Sequence, residues 1–404
     1  MLLLIVSAGA AELSLPDCIA AALRQDETVR IQELKVEELQ ARVWVRTASM
    51  LPRFGLSAGY TRLRTNTDDY DASLVLNQPL FAGGRYWLDR SAALLELAQA
   101  ELELEKTKKE LTLTTAEAYY RLLHAQEYLT AQEKSRDNLR DYFDRSAQLA
   151  RQTKLPRPEE LLQIEVQLGN AEISVENAAL ACRKARNALR KIINAPLRPE
   201  DSLLAPALPE IAADFTDDQL AQNYAYRLSL LRLQAADTAA AAARSAYWPE
   251  LNLQAYSGVQ WGETFPQDGT NYTQWGVALQ MLLFDFFKTP KLAEQSSSVY
   301  QQNEWAVELL WRQLLTELAD VLDAGRAVAK RKELTAANLD RAAESLRLYQ
   351  ERSMSYTANS KQLLDAEQAA LQASVNQLDA ALAYYLNVLE LKRLLGLGAL
   401  DEFK

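Results

Sequence analysis

The sequence predicts a mainly α-helical protein with a β-barrel portion, built from one unit used twice: helix, two strands, long helix, shorter helix. Three observations predict it. The chain repeats itself about two hundred residues apart, the mark of a duplicated structural unit. Leu51-Pro52-Arg53-Phe54-Gly55-Leu56 is answered by Trp248-Pro249-Glu250-Leu251-Asn252-Leu253, and Asn77-Gln78-Pro79-Leu80-Phe81 by Gln280-Met281-Leu282-Leu283-Phe284. Leu161-Leu162 recurs as Leu363-Leu364, and Leu189-Arg190-Lys191-Ile192-Ile193-Asn194 as Leu391-Lys392-Arg393-Leu394-Leu395-Gly396. Second, neither Gly nor Pro occurs from Arg85 to Leu155, although each is a poor residue for a helix interior, by about 1 and 3 kcal/mol relative to Ala. Third, four segments alternate polar and apolar residues with the period of a strand.

The elements run in order along the chain. Residues 1–10 form a short apolar run ending in Ala8-Gly9-Ala10. That is a small-x-small cleavage pattern, read as the remnant of a secretory signal, and the run is too short to span a bilayer as a helix. The first repeat covers 11–195. Ser14 caps a helix with Pro16 in its first turn, and the helix continues to about Ser49. Strands come next at about 51–63 and 72–82, then a long helix over 85–152, which at ~1.5 Å per residue is roughly 100 Å long. Leu155-Pro156-Arg157-Pro158 turns the chain into a helix over 159–193. Pro196, Pro199, Pro206 and Pro209 mark a linker over 196–213. The second repeat, 214–404, brings a helix from about Thr216 to Ala246, strands at about 248–261 and 272–286, a long helix over 289–352 opened by Thr289-Pro290, and a shorter helix over 359–396. No later segment is apolar enough for a transmembrane helix.

The shorter helices carry heptads. Leu364, Leu371, Leu378 and Tyr385 stand seven apart, with Val375, Leu382 and Leu389 between them. Leu161, Leu168, Val175, Cys182 and Leu189 do the same in the first half, partnered by Ile164, Ala171, Ala178, Ala185 and Ile192. Such seams pack helices side by side as coiled coil.

Composition excludes several functions. The net charge is −10 and cations alternate with acids along the helices, unlike the clustered basic face of a nucleic-acid binder. Cys18 and Cys182 match no metal or disulfide spacing. The single histidine, His124, stands in mid-helix beside Leu122 and Leu123. There is no phosphate loop, nucleophile elbow or metal-ligand cluster, so the chain does not read as an enzyme and implies no cofactor.

Each strand has one apolar and one polar face. Leu251, Leu253, Ala255, Val259 and Trp261 oppose Glu250, Asn252, Gln254, Tyr256 and Gln260, and Trp275, Val277, Leu279, Met281 and Leu283 oppose Gln274, Gly276 and Gln280. Phe54, Leu56, Ala58 and Tyr60 oppose Arg53, Ser57 and Thr61. Two readings fit: a sheet packed on a soluble core, or a barrel wall with lipid outside and water inside. The polar face is rich in amides, and Tyr247, Trp248, Trp261, Tyr272, Trp275, Phe81 and Phe284 gather near strand ends, where a membrane-interface girdle belongs. Four strands cannot close a barrel, and open edges are not tolerated in lipid, so the barrel reading requires several copies of the chain; three would give twelve strands.

Leu13-Ser14-Leu15-Pro16-Asp17-Cys18-Ile19-Ala20-Ala21-Ala22-Leu23, Leu51-Pro52, Gln78-Pro79-Leu80-Phe81-Ala82-Gly83-Gly84-Arg85, Trp248-Pro249-Glu250-Leu251 and Leu363-Leu364-Asp365-Ala366-Glu367 resemble, in order and in duplicate, the TolC family of outer-membrane efflux proteins. The resemblance covers nearly the whole chain. It implies a homotrimer with a twelve-stranded outer-membrane β-barrel surrounded by outer-membrane lipid, continued by a long periplasmic α-helical barrel. It also implies a passive exit duct in a Gram-negative bacterium, serving a tripartite efflux or type I secretion system with a periplasmic adaptor (membrane fusion) protein and an inner-membrane transporter. A periplasmic gate is implied at the helix tips: Asp365 matches a family ring carboxylate, Gln362 stands at the other ring position, and Glu160 occupies the place of an acidic gate residue. Arg151 and Arg352 are tip-proximal cations. The alternative for Glu160 and Asp365 is ordinary solvated helix charge, and for Arg151 and Arg352 likewise a solvated role. The chain departs from the family pattern where both tip turns lack their glycine: Lys154-Leu155-Pro156-Arg157-Pro158 and Tyr356-Thr357 stand there. The competing class is a soluble periplasmic coiled-coil adaptor or scaffold, which accounts for the heptads but not for two bilayer-length hairpins.

Overall fold

The computed structural model describes residues 12–62, 68–153, 158–198, 202–204, 216–262, 269–354 and 360–403; the expected signal remnant and most of the linker lie outside them. In chain order the elements are β1 (Glu12–Leu13), α1 (Leu15–Gln25), α2 (Glu27–Ala48), β2 (Arg53–Arg62), β3 (Asp68–Ala82), α3 (Arg85–Thr153), α4 (Pro158–Ile193), β4 (Ser202–Leu203), α5 (Asp217–Leu220), α6 (Tyr224–Ser245), β5 (Glu250–Gly262), β6 (Thr270–Gln280), α7 (Lys288–Met354) and α8 (Ser360–Leu394). They form two compact units. One takes Met1–Val29, Lys106–Asn223 and Gln313–Lys404; the other takes Arg30–Glu105 and Tyr224–Arg312.

The first unit has the larger core. Leu15, Cys18, Ile19 and Ala22 of α1 pack on Leu113, Ala116, Tyr119 and Leu122 of α3, with Cys182, Leu189 and Ile193 of α4 and Leu389 of α8. Spacing by three and four puts the α1 residues on one face, and Ser14 caps the helix by accepting from the Asp17 amide at 3.4 Å. The Tyr119 hydroxyl lies 2.9 Å from the Leu13 carbonyl and 2.6 Å from that of Leu204. It holds β1 and β4, which pair in parallel, against α3. Burial, the largest cause, pushes its phenol up to about 12. Both cysteines are free and buried, and burial with nearby Asp17 pushes Cys18 up to about 11, which makes it an inert thiol. His124 Nε2 sits 2.9 Å from Asp379 on α8.

The second unit carries a four-stranded antiparallel sheet in the order β2-β3-β5-β6. Leu102, Tyr224 and Leu228 form a small core there, and Tyr226 lies 4.8 Å from Trp311.

Four differences from the expected elements have local causes. The single helix expected up to Ser49 is two, because Asp26 turns extended and its carboxylate caps the next helix, accepting from the Thr28 and Val29 amides at 2.8 and 3.1 Å. The helix expected from Thr216 to Ala246 breaks before Tyr224, where the buried Asn223 amide donates to the Leu394 carbonyl at 2.7 Å. The second strand starts at Asp68 instead of 72, because the ladder runs on to Arg62 opposite Asp68. The fourth ends at Gln280 instead of 286, because Gln280 pairs with Glu250, the first residue of β5, and among the described residues no strand lies opposite 281–286.

Candidate functional site

Register fixes the faces of the sheet. Phe54, Leu76, Ala255 and Trp275 form one rung, and Leu56, Leu74, Ser257 and Thr273 the next on the same face. The large side chains there stand open: Phe54 is 80%, Leu56 79% and Trp275 75% exposed. The opposite face carries Arg53, Asn77 and Gln254 on one rung and Gly59, Asp71, Gln260 and Thr270 on another. An apolar face on a sheet normally finds a core to cover it; this one stays open in the single chain.

Aromatic rings bracket that face. At the hairpin-loop end Tyr60, Tyr70 and Trp261 form one rung, with ring centroids 5.2 and 6.0 Å apart. At the helix end Phe81 meets Trp248 edge-on at 6.4 Å, and Phe284 touches Phe286 and Phe287. A bulge after Pro79 brings Phe81 opposite Leu251. From Leu251 to Trp261 the strand covers roughly ten residues, or about 33 Å, which a tilt of ~40° reduces to about 25 Å, the height of an outer-membrane apolar band. Two of the expected aromatics fall elsewhere. Trp275 sits mid-strand opposite Ala255, and Tyr272, opposite Gly258, shares the polar face with Gln274. Tyr60 and Tyr70 are not singled out by the sequence, since only the register shows that they share a rung with Trp261.

The tip residues lie in the other unit. Arg151 is exposed in the last turn of α3, Glu160 is half-buried in the first turn of α4, and Arg352 is exposed in the last turn of α7. Gln362 and Asp365 are both exposed, three residues apart on one face of α8. The tip turns lie outside the described residues. The opposite face of α8 is buried, and there Leu364 packs on Leu139 of α3 and Ile164 of α4.

That buried face holds an acid that sequence reasoning missed. Glu367 is only 7% exposed and accepts from the Asn138 amide of α3 at 3.1 Å. Burial raises its carboxyl above the usual range, against the hydrogen bonds of Asn138 and Ser135 and the charge of Lys134. Gln132 and Ser135, also buried, continue this polar seam along α3. The signal was present: Glu367 stands one turn from both Leu364 and Leu371 and interrupts their apolar seam. Nearby, α7 and α8 leave an open groove of about 530 Å³ lined by Thr335, Asn338, Ala342, Ala369, Ala373 and Asn376, among others. Among the described residues no helix is long and apolar enough to cross a membrane, and no three His, Cys, Asp or Glu side chains gather as metal ligands.

Residues 18–195 and 216–397 match the profile of the family described as "Outer membrane efflux protein". The chain belongs to that family. No curated protein matches it. Its fold is that of solved channels at low identity. The Campylobacter jejuni CmeC outer membrane channel superposes with a TM-score of 0.85 at 17% identity, over 96% of this chain and 87% of that one. The open state of the Neisseria gonorrhoeae MtrE channel gives 0.84 at 20%, over 96% and 90%. The Vibrio cholerae outer membrane protein VceC gives 0.82 at 18%, over 95% and 96%. As an outer membrane efflux protein the chain is an exit duct of the outer membrane with a periplasmic helical extension. It conducts and does not catalyse.

Proposed function

We propose that three copies of this chain close a twelve-stranded barrel, four strands from each, and continue as an α-helical barrel. This duct passively carries substrates delivered by a periplasmic adaptor and an inner-membrane transporter. One observation carries the reading: a sheet with an open apolar face, a polar face behind it, and two edges, β2 and β6, with no partner strand among the described residues. In hydrocarbon every backbone N–H and C=O must be satisfied, and only closure does so. The exposed apolar residues of α7, among them Trp305, Leu309 and Leu334, give a second surface for a neighbouring copy to cover. The α7–α8 groove fits a helix of the adaptor, because Ala342, Ala369 and Ala373 let another backbone approach and the amides of Asn338 and Asn376 offer hydrogen bonds. Glu160, Gln362 and Asp365 form the polar constriction at the tip, with Arg151 and Arg352 beside it. Opening moves the tip helices between two packings that partner contacts bias.

The test is direct. Membranes carrying the chain are washed with high salt and then with detergent, and the extract is cross-linked. A three-copy species released only by detergent is the expected result; release by salt as a single copy would return the chain to the scaffold class. Disulfide cross-links between protomers at Glu160→Cys and Asp365→Cys should then stop transport and leave assembly intact. Undiminished transport in the linked protein would remove the gate from the tip.

A further inference from the structure

The two repeats leave the sheet through the same turn, made of opposite residues. After β3 the chain runs Phe81-Ala82-Gly83-Gly84-Arg85 into α3; after β6 it runs Phe284-Asp285-Phe286-Phe287-Lys288 into α7. All four central residues are left-handed, with φ of 60° and 82° at Gly83 and Gly84 and 52° and 64° at Phe286 and Phe287. Glycine adopts this conformation without cost, whereas for a bulky residue it is a genuine outlier that persists only where something offsets the strain. Among the described residues only Asn194 also has positive φ without being glycine, and asparagine tolerates it.

Among the described residues no covering contact offsets it. Phe286 is 86% and Phe287 68% exposed, and their ring contact is with Phe284, itself largely exposed. In the first repeat the turn is covered at its first glycine, where a Cβ on Gly83 would stand 2.6 Å from that of Trp248, while a Cβ on Gly84 would meet nothing within 4 Å. The second turn is held rigidly by Asp285, which accepts from the Thr289 amide at 2.8 Å and its hydroxyl at 2.5 Å, and it presents its rings outward. Met281, Leu282 and Leu283, all exposed, lead from the end of β6 to the patch, and the exposed Lys288 comes directly after it. Aromatic rings beside a cation, at the end of an apolar strand face, are complementary to the boundary between phospholipid headgroups and acyl chains.

We propose that Phe286 and Phe287 are a lipid anchor, seated in the phospholipid boundary on the periplasmic side of the barrel. The inference rests on the reading of the sheet as a membrane wall. At this turn the two repeats take different surroundings: the chain's own Trp248 against Gly83 in the first, lipid in the second.

The test places benzoylphenylalanine at Phe287, and in a parallel protein at Phe54 on the apolar face. The full-length assembled protein is reconstituted in phosphatidylethanolamine–phosphatidylglycerol vesicles and irradiated, and adducts are identified by mass spectrometry. A phospholipid adduct at both positions is expected. An adduct at Phe54 with none at Phe287 overturns the anchor and keeps the wall; none at Phe54 overturns the wall itself. A chain-to-chain adduct at Phe287 assigns the pair to contact between copies and also overturns the anchor. The double variant Phe286→Gly, Phe287→Gly should assemble, since the first repeat uses glycine there, and should leave vesicles at no more than half the detergent concentration that the parent protein needs. Unchanged extraction sinks the proposal.

Discussion

The two long helices come from matching places in a duplicated chain, yet they live differently. α3 buries Leu102, Leu113, Ala116, Tyr119 and Leu139 among others, whereas on α7 Leu314 is the one buried hydrophobic among the described residues. The helix of the first repeat is therefore stabilised within its own chain. The helix of the second keeps Trp305, Leu309, Leu334 and Leu348 exposed, and on the proposed assembly a neighbouring copy would cover them. Of two similar rods, one is packed into the fold of its own chain and the other leaves its large apolar side chains open, which the proposed assembly would use.

That division can be broken experimentally. The largest effect belongs to the α3 core: Leu113→Ala should cost about 2–5 kcal/mol, since it empties a nearly inaccessible site, measured by denaturant unfolding of the detergent-solubilised protein. A cost below about 1 kcal/mol would mean that α3 is not the structural rod. Tyr119→Phe should cost about 1–3 kcal/mol, because two carbonyls lose their shared donor, and hydrogen exchange should rise first at Leu13 and Leu204. On α7 the pattern reverses. Leu309→Glu and Leu334→Glu should leave single-chain stability within ~0.5 kcal/mol but lower the trimer fraction at least tenfold, or about 1.4 kcal/mol, as read by native mass spectrometry; equal loss of both quantities would erase the contrast.

Two smaller effects sharpen it through pH. Glu367 is raised by burial, so its contribution is present below the ordinary carboxyl range and is lost as pH rises through its folded value. Glu367→Gln should therefore stabilise the protein by about 1 kcal/mol at neutral pH and have little effect in acid, seen as a Tm difference that vanishes on acidification. Asp401 titrates the other way. Burial works against its charge, but hydrogen bonds from Lys109 and the Gly398 amide, with the charges of Lys109 and Lys392, hold it below the usual range. Its stabilisation is present above the ordinary value and lost as pH falls through the folded one. The Lys109–Asp401 pair, 2.5 Å apart, is about one-third exposed, so Asp401→Asn should cost less than about 1 kcal/mol. A larger loss would show that the C-terminal residues matter to the core more than their exposure implies.

Much of the architecture was readable because it depends on pattern. The repeat, the alternating faces and the proline breaks are properties of spacing, and spacing survives without coordinates. What escaped depends on single side chains whose partners are distant in sequence. Asp26 reads as one more solvated helix charge until its carboxylate is seen capping Thr28 and Val29. Asn223 interrupts a helix because a carbonyl at Leu394 waits for it. The strand after Tyr272 keeps alternating through Met281 and Leu283, yet it ends at Gln280 because β5 begins opposite. Asp365 and Gln362 are proposed for the tip from their place in a motif, whereas Glu367, two residues beyond Asp365, needed the knowledge that its side of α8 faces Asn138. The positions of the aromatics in the sheet were half legible, since strand ends can be guessed but rungs such as Tyr60, Tyr70 and Trp261 cannot.

The edges of β2 and β6, which have no partner strand among the described residues, bear on biogenesis. A newly exported copy carries two strands with bare hydrogen-bonding groups on their outer sides, flanked by greasy residues, which is the form of surface that seeds misassembly. A low concentration of unassembled copies would then favour closure over irregular edge-to-edge pairing.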